Sequence, residues 1–468
     1  MNRKEWILPV IACVLAVLVA AGVGMRLLSD AQSIRSGYEA SAVQEGWVGF
    51  MNVKWKRTLS AGLAACLLSS CGMSAAREIP VSSETGKEAA VQWTEEEEIG
   101  FLTGLTAFTC KTASEFLAGE DENRLYSPSS LYLALAMTAQ CAAGDTQSQL
   151  LELLGAEDLE TFANSSAAWF EGLNQESDEG TAALANSIWL REGFSYFPEP
   201  IEKLNDLYRA QAFEADFADS ALPKDIGGWI QEATHGLLGK DASDFQLGAD
   251  TQMILFSALY FKGAWSDPFS KENNSQGPFY KADGSASNGD TEYMNQKAGG
   301  LYWEGDGFAA GSRSMQNGAR MLFILPDEDL SPEDLAAHPE VLRQILFPEN
   351  AEYAQITWRI PKFSVADSPK DIPQTLEGLG LTLPFSPYEA DFSALSETPL
   401  YLSNIRQEAT LTIDVEGCEG AAYTEVSADA AAAMEPKEVE LNLNRPFLFA
   451  VVYQNTVLFT GIINNPSA

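Results

Sequence analysis

Two almost wholly apolar runs close the chain. Pro446–Tyr453 and Thr456–Ile463 are separated only by Gln454 and Asn455, which predicts a hairpin buried on both faces. Ending a chain in its own core is unusual, because termini are normally loose. Shorter strand-like runs lie at Ala182–Leu190, Met253–Phe261 and Ala319–Leu325, and Gln355–Ile360 alternates before Pro361-Lys362-Phe363. Helical patterning dominates residues 95–155. Thr94 followed by Glu95–Glu98 makes a helix start. Ser127 caps a second helix with Pro128 in its first turn, and Leu131–Met137 is too apolar to lie exposed. Gly144 stops that helix, and Asp145-Thr146-Gln147 opens another that ends at Gly155. No linker or repeat divides residues 95–468, so strands far apart in sequence must pair within one interlocked domain.

One segment carries a different pattern. Every second residue from Cys418, namely Gly420, Ala422, Thr424, Val426 and Ala428, is small and uncharged. The alternate set, Glu419, Ala421, Tyr423, Glu425, Ser427 and Asp429, is mostly polar or acidic. That is the period of a strand with one buried and one wet face. The segment is nevertheless rich in Ala, Gly and acid, which have low strand propensity. It reads as a loop able to become a strand in a sheet with little room beneath it.

The amino end carries two export-like signals. Residues 7–25 are apolar after Arg3 and Lys4, about the length needed to span a membrane as a helix. A second start-like segment begins at Met51, with Lys54, Lys56 and Arg57, an apolar run from Leu59, and the ending Leu68-Ser69-Ser70-Cys71. That order makes a signal peptide, and its ending resembles a bacterial lipobox with Cys71 as the acylated mature residue. The two signals conflict in orientation. Residues 1–50 are therefore expected to be an upstream over-extension, the rival being a membrane anchor. Residues 51–70 are then the lipoprotein signal peptide, 71–94 a small polar tether, and 95–468 the domain.

The formal charge of −37 argues against a nucleic-acid partner, whose phosphates need clustered Lys and Arg. Solubility in an exposed compartment is the plain reading of this acidity, and steering of a basic partner is the other. Of six cysteines, Cys110, Cys141 and Cys418 remain beyond the lipid site, an odd number that reads as buried thiols. Only His235 and His338 occur, outside any metal or triad context, so neither an enzyme nor a metal or cofactor site is expected.

Several blocks together resemble the serpin family over nearly all of residues 95–466. They are Asn123–Leu131 with Ala143–Thr146, Leu184–Leu190, Asn205–Ala210 with Asp216-Phe217, and Leu259–Trp265. Leu325-Pro326, Ile360–Phe363, Ala390–Ser393 and Arg445–Phe449 follow in the family's order. The resemblance implies an α+β multi-sheet fold with three β-sheets, about eight or nine helices and an exposed reactive loop near residues 417–440. It implies a suicide-substrate inhibitor. A serine protease cleaves the loop and is trapped as an acyl-enzyme when the loop inserts into the main sheet as a new strand. It implies a hinge at Gly417, Cys418, Gly420, Ala422 and Thr424, and a sheet-opening cluster of Ser127, Ser130, Asn186 and Gln407 with Trp265 and Lys362 near the entry point. Ordinary core or cap duty is the alternative for those six residues.

The chain departs from the family's pattern in places. Gln407 stands where a histidine is usual, Val415 where Glu is common, Cys418 where Thr or Ser is usual, Gly420 where Ala is usual and Tyr423 where a small residue is preferred. Gly420 costs about 0.5–1 kcal/mol of backbone entropy, too little to block insertion. Counting from Gly417 in the family's spacing places the reactive bond at Ala431–Ala432, with Met434–Glu435 second. Either suits a monomeric inhibitor of a serine protease with a small apolar primary pocket, of elastase or subtilisin type, held at a membrane through its lipid anchor. A non-inhibitory binding protein on the same fold and an inhibitor of cysteine proteases are the alternatives.

Overall fold

The computed structural model describes residues 75–81, 93–119, 122–177, 180–236, 238, 251–281, 284–287, 290–367, 369, 371–402, 405, 407–418 and 436–467. Cys71, Gly420, Ala422, Thr424, Ala431, Ala432, Met434 and Glu435 lie outside them.

The helices form where capping and apolar pattern coincide. Helix α1 (Glu95–Phe116) starts on a reciprocal capping box, with Glu97 N–H donating to Thr94 Oγ1 and Thr94 N–H to Glu97 Oε2. Helix α2 (Pro128–Cys141) is capped by Ser127 and buries every residue but Ala134. It packs between two sheets, against strands that the apolar runs supply. Helix α3 (Gly144–Leu154) ends on Gly155 in the left-handed region. Helices α4 (Leu159–Leu173), α5 (Pro198–Tyr208), α6 (Leu222–Ala233), α7 (Pro332–Ala336), α8 (Pro339–Leu346) and α9 (Ile372–Gly378) complete nine among the described residues.

Seventeen strands accompany them among the described residues. In the larger-stranded network, β15 (Lys437–Asn442), β11 (Glu352–Pro361), β8 (Thr291–Gly305), β9 (Phe308–Ser314), β10 (Arg320–Pro326), β16 (Phe447–Tyr453), β17 (Thr456–Ile463) and β2 (Arg124–Tyr126) are neighbours in that order, with β7 (Ser275–Gly277) on β8. Two of the three expected sheets are continuous here through β8. Its residues Tyr293–Tyr302 pair with β11, and Tyr302–Gly305 pair with β9. The β16–β17 hairpin turns at Gln454 and Asn455, both at positive φ, as a two-residue turn between twisted strands demands. Both strands are wholly buried, and the chain end is held by Asn123, whose Oδ1 accepts from Asn464 N–H and Asn465 N–H.

The other sheet runs β1 (Ala76–Glu78), β5 (Gln211–Ala215), β4 (Gly180–Arg191), β6 (Met253–Ala264), β14 (Gly417–Cys418), β13 (Ala409–Ile413) and β12 (Phe363–Asp367), with β3 (Gln175–Ser177) on β4. β4 and β6 pair over their length, but among the described residues β6 is joined to β13 only through the two residues of β14. β1 comes from the stretch read as a tether. Ala76–Glu78 pairs with Phe213–Ala215, and Met73–Ala468 is one compact unit. Three residues containing Arg77 and Glu78 are too short and too polar to show a strand period.

Candidate functional site

The segment that carried the alternating pattern enters the sheet at its first two described residues. β13 ends at Ile413, the chain turns, and Gly417-Cys418 comes back antiparallel between β13 and β6, with Gly417 opposite Ala264 and Cys418 opposite Gly263. Asp414 builds the turn: its Oδ1 accepts from Glu416 N–H at 2.8 Å and Gly417 N–H at 3.2 Å, and its own N–H donates to Gly417 O. Gly417 is required there. Its φ is 149°, and a Cβ would stand 2.2 Å from Gly263 O. Cys418 is 1% exposed, on the core side as its place in the small-residue set predicts.

Beyond Cys418 the described strands leave a slot, in that β6 from Met253 to Lys262 has no strand partner on the β13 side among the described residues. At the middle of the slot stands Ser257, opposite Asn186 of β4. Ser257 Oγ and Asn186 Oδ1 are both buried without a hydrogen-bond partner among the described residues.

The expected sheet-opening cluster is partly assembled. Ser127 Oγ accepts from Ser130 N–H and donates to Leu458 O, tying α2 to β17. Gln407 binds Ser127 in both directions: its Oε1 accepts from Ser127 N–H at 2.9 Å and its Nε2 donates to Ser127 O at 2.8 Å. The amide thus clips the approach to β13 onto α2, a two-sided role open to Gln as donor and acceptor. Asn186 is joined elsewhere, donating from Nδ2 to Tyr208 O at the end of α5. It reaches the others only through the sheet, since its partner Ser257 shares a small cleft with Gln407, Phe256 and Trp229.

Trp265 stands where expected, at the turn. Its N–H donates to Glu416 O, its indole Nε1 to Asp414 O at 2.9 Å, and Phe269 N–H donates to Val415 O. Three consecutive hinge carbonyls are therefore held by one segment. Lys362 lies one residue before Phe363, which pairs with Ile413, but its ammonium is turned to Glu292 at 2.7 Å. That contact, with Asn274, holds the Glu292 carboxyl below the usual range.

The site contains a buried cation that no motif announced. Arg313 of β9 is 4% exposed, and its guanidinium carbon lies 4.1 Å from the Phe269 ring centre and 5.5 Å from that of Trp265. Nη2 donates to Asp267 O and to Gln296 Oε1, while Nε and Nη1 have no partner among the described residues. Burial pushes the guanidinium pKa down to about 10 against the pull of Asp267. A charged residue within Gly311-Ser312-Arg313-Ser314 was the signal available in sequence, but neither neighbour nor spacing tied it to residues 265–269.

The family model described as "Serpin (serine protease inhibitor)" matches residues 103–466. Serpin-Z2A of Oryza sativa subsp. japonica is 28% identical over 427 residues, covering 80% of this chain and 99% of its own. Serpin-ZX of Arabidopsis thaliana is 28% identical, over 74% of this chain and 93% of its own. The native-state crystal structure of the thermophilic serpin Tengpin has a TM-score of 0.70 at 27% identity, covering 80% of this chain and 95% of that one.

Proposed function

Because this chain belongs to the serpin family, we propose that it is a suicide-substrate inhibitor of serine proteases. The observation that carries the reading is the insertion of Gly417-Cys418 between β6 and β13, beside a stretch of β6 that no other described strand pairs on that side. The first residues of a new strand are already in register, and residues 419–428 would continue it along Lys262 to Met253.

The chemistry follows from the loop sequence. A protease serine Oγ attacks the Ala431 carbonyl carbon, the bond to the Ala432 nitrogen breaks, and that nitrogen leaves with a proton as a free amine. An ester joins Ala431 to the protease. Residues up to Ala431 are then free to enter the slot and draw the ester away from its hydrolytic water. Ten residues of β6 edge, 253–262, at about 1 kcal/mol of net stabilisation per hydrogen bond give on the order of 10 kcal/mol. That is comparable with the roughly 5–15 kcal/mol stabilising a protease fold. Ala431–Ala432, with Met434–Glu435 second, suits a small apolar primary pocket, since residues 414–436 contain no Arg or Lys.

Attachment to a membrane through an acylated Cys71 belongs to the same proposal and is supported by the Leu68–Cys71 sequence alone. Mass spectrometry of the native protein should show a diacylglyceryl-cysteine amino end; peptides from residues 26–50 in mature protein would refute it. Inhibition is tested by incubating the protein with elastase- and subtilisin-type proteases. An SDS-resistant conjugate of the summed mass is expected. Cleavage in the loop without conjugate across the panel would favour the non-inhibitory alternative.

A further inference from the structure

We propose that Arg313 is a positioning residue for the hinge: its buried guanidinium, under the rings of Trp265 and Phe269, fixes the segment that keeps Gly417-Cys418 inserted. The argument starts from an imbalance. A buried cation with two nitrogens unsatisfied among the described residues is unfavourable for stability alone, and an apolar side chain of similar volume would fill the place at no such cost. What Arg313 does make is directed at one segment. It donates to Asp267 O, and its face lies on Phe269 and Trp265, contacts that strengthen when water is excluded. The same five residues, 265–269, give the three donors that hold Asp414 O, Val415 O and Glu416 O. Gln296, the other acceptor of Arg313, lies on β8 opposite Trp358 of β11, so the guanidinium ties this segment to the second strand network.

The turn at Asp414–Gly417 is the one a fully inserted strand would use, because β14 already runs antiparallel to both neighbours. Holding it therefore keeps the first step of insertion completed before any cleavage. Loosening it should let Gly417-Cys418 leave the sheet, and after cleavage insertion would begin later.

Cys418 offers a direct readout of that step. It lies buried in the inserted pair, whereas Cys110 on α1 and Cys141 at the end of α2 are buried away from the hinge and report general opening. The experiment is alkylation of the full-length protein with iodoacetamide at pH 8, read per cysteine by mass spectrometry. It compares Arg313→Met, Phe269→Leu and Arg313→Lys with the parent. In Arg313→Met and Phe269→Leu, labelling of Cys418 should rise about tenfold, the factor that corresponds to 1.4 kcal/mol, with Cys110 and Cys141 unchanged. Arg313→Lys, which keeps a cation on the rings, should fall between. Unchanged Cys418 labelling, or a parallel rise at all three cysteines, would overturn the proposal, the latter showing a merely structural role. A second measurement rests on the inhibitor reading: the stoichiometry of inhibition should rise in the same order. If the parent forms no conjugate with any protease, the inhibitor reading fails, and the thiol measurement still decides the role of Arg313.

Discussion

Thr424→Arg tests the register of the loop in the sheet. Cys418 opposite Gly263 extrapolates to Thr424 opposite Ser257, on the face that carries Leu259 and Phe261 into the main core. Asn186 stands opposite Ser257 on the other side. A threonine hydroxyl arriving there would stand beside Ser257 Oγ, a buried polar atom without a partner among the described residues, with Asn186 one strand further on. Satisfying a buried hydroxyl recovers about 1–3 kcal/mol. An arginine instead brings a charge to the face that carries Leu259 and Phe261 into the core, at a cost of several kcal/mol. Together these remove about half of the roughly 10 kcal/mol assigned to insertion.

The protease would then hydrolyse the ester before the loop has moved. The assay is a titration of protease against inhibitor, with conjugate and cleaved product resolved by SDS gel electrophoresis. Thr424→Arg should convert the protein from inhibitor to substrate, with several molecules consumed per protease blocked. In this register Glu425 would fall opposite Phe256, whose ring lies 6.1 Å from that of Trp229 on α6. Glu419 would fall opposite the partly buried Lys262, away from that contact, so Glu419→Gln makes the same change in charge and should inhibit as the parent does. Parent stoichiometry for Thr424→Arg would refute the register, and an equal loss in both variants would refute the assignment of faces.

Three further outcomes follow. Nicking the loop within 431–435 should raise the melting midpoint by about 20 °C or more, since about 10 kcal/mol is gained at roughly 2 °C per kcal/mol; equal midpoints before and after nicking would mean that no strand forms. Gln407→Ala leaves Ser127 N–H and C=O without their side-chain partners and should lower stability by about 2–4 kcal/mol in urea unfolding; a loss below 1 kcal/mol would show that the clip is replaceable. Burial raises the thiols of Cys110 and Cys141 from 9.0 to about 12, so the unfolded chain alone releases their protons above pH 9. Their contribution is complete below that pH and lost as pH rises toward 12; Cys141→Ala should flatten the fall in urea midpoint between pH 8 and 10, and an unchanged slope would contradict the assignment.

What could be read in the sequence was what repeats at short range. The apolar run Phe447–Tyr453 needs no partner to announce a strand buried on both faces, and Ser127-Pro128 needs none to announce a helix start. The loop's small-residue alternation put Cys418 on the core side, where it lies. Polar contacts across the fold were not legible in the same way. Gln407 and Ser127 are 280 residues apart, and Asn186 could be grouped with them by resemblance but finds Tyr208 instead.

Arg313 is the extreme case. Strand alternation gives one bit per residue, in or out, and an arginine is read as out. It faces inward because Phe269, Trp265 and Trp358 offer it ring faces and Asp267 and Gln296 offer it oxygens, five residues drawn from three separate stretches of chain. No local pattern encodes that convergence. A side chain that breaks the local rule is where a fold departs from being merely stable, and here the departure lies beneath the hinge carbonyls of Asp414, Val415 and Glu416. On the proposed reading, the buried Arg313 and the strand begun at Gly417-Cys418 are two sides of one arrangement, a hinge held in the sheet.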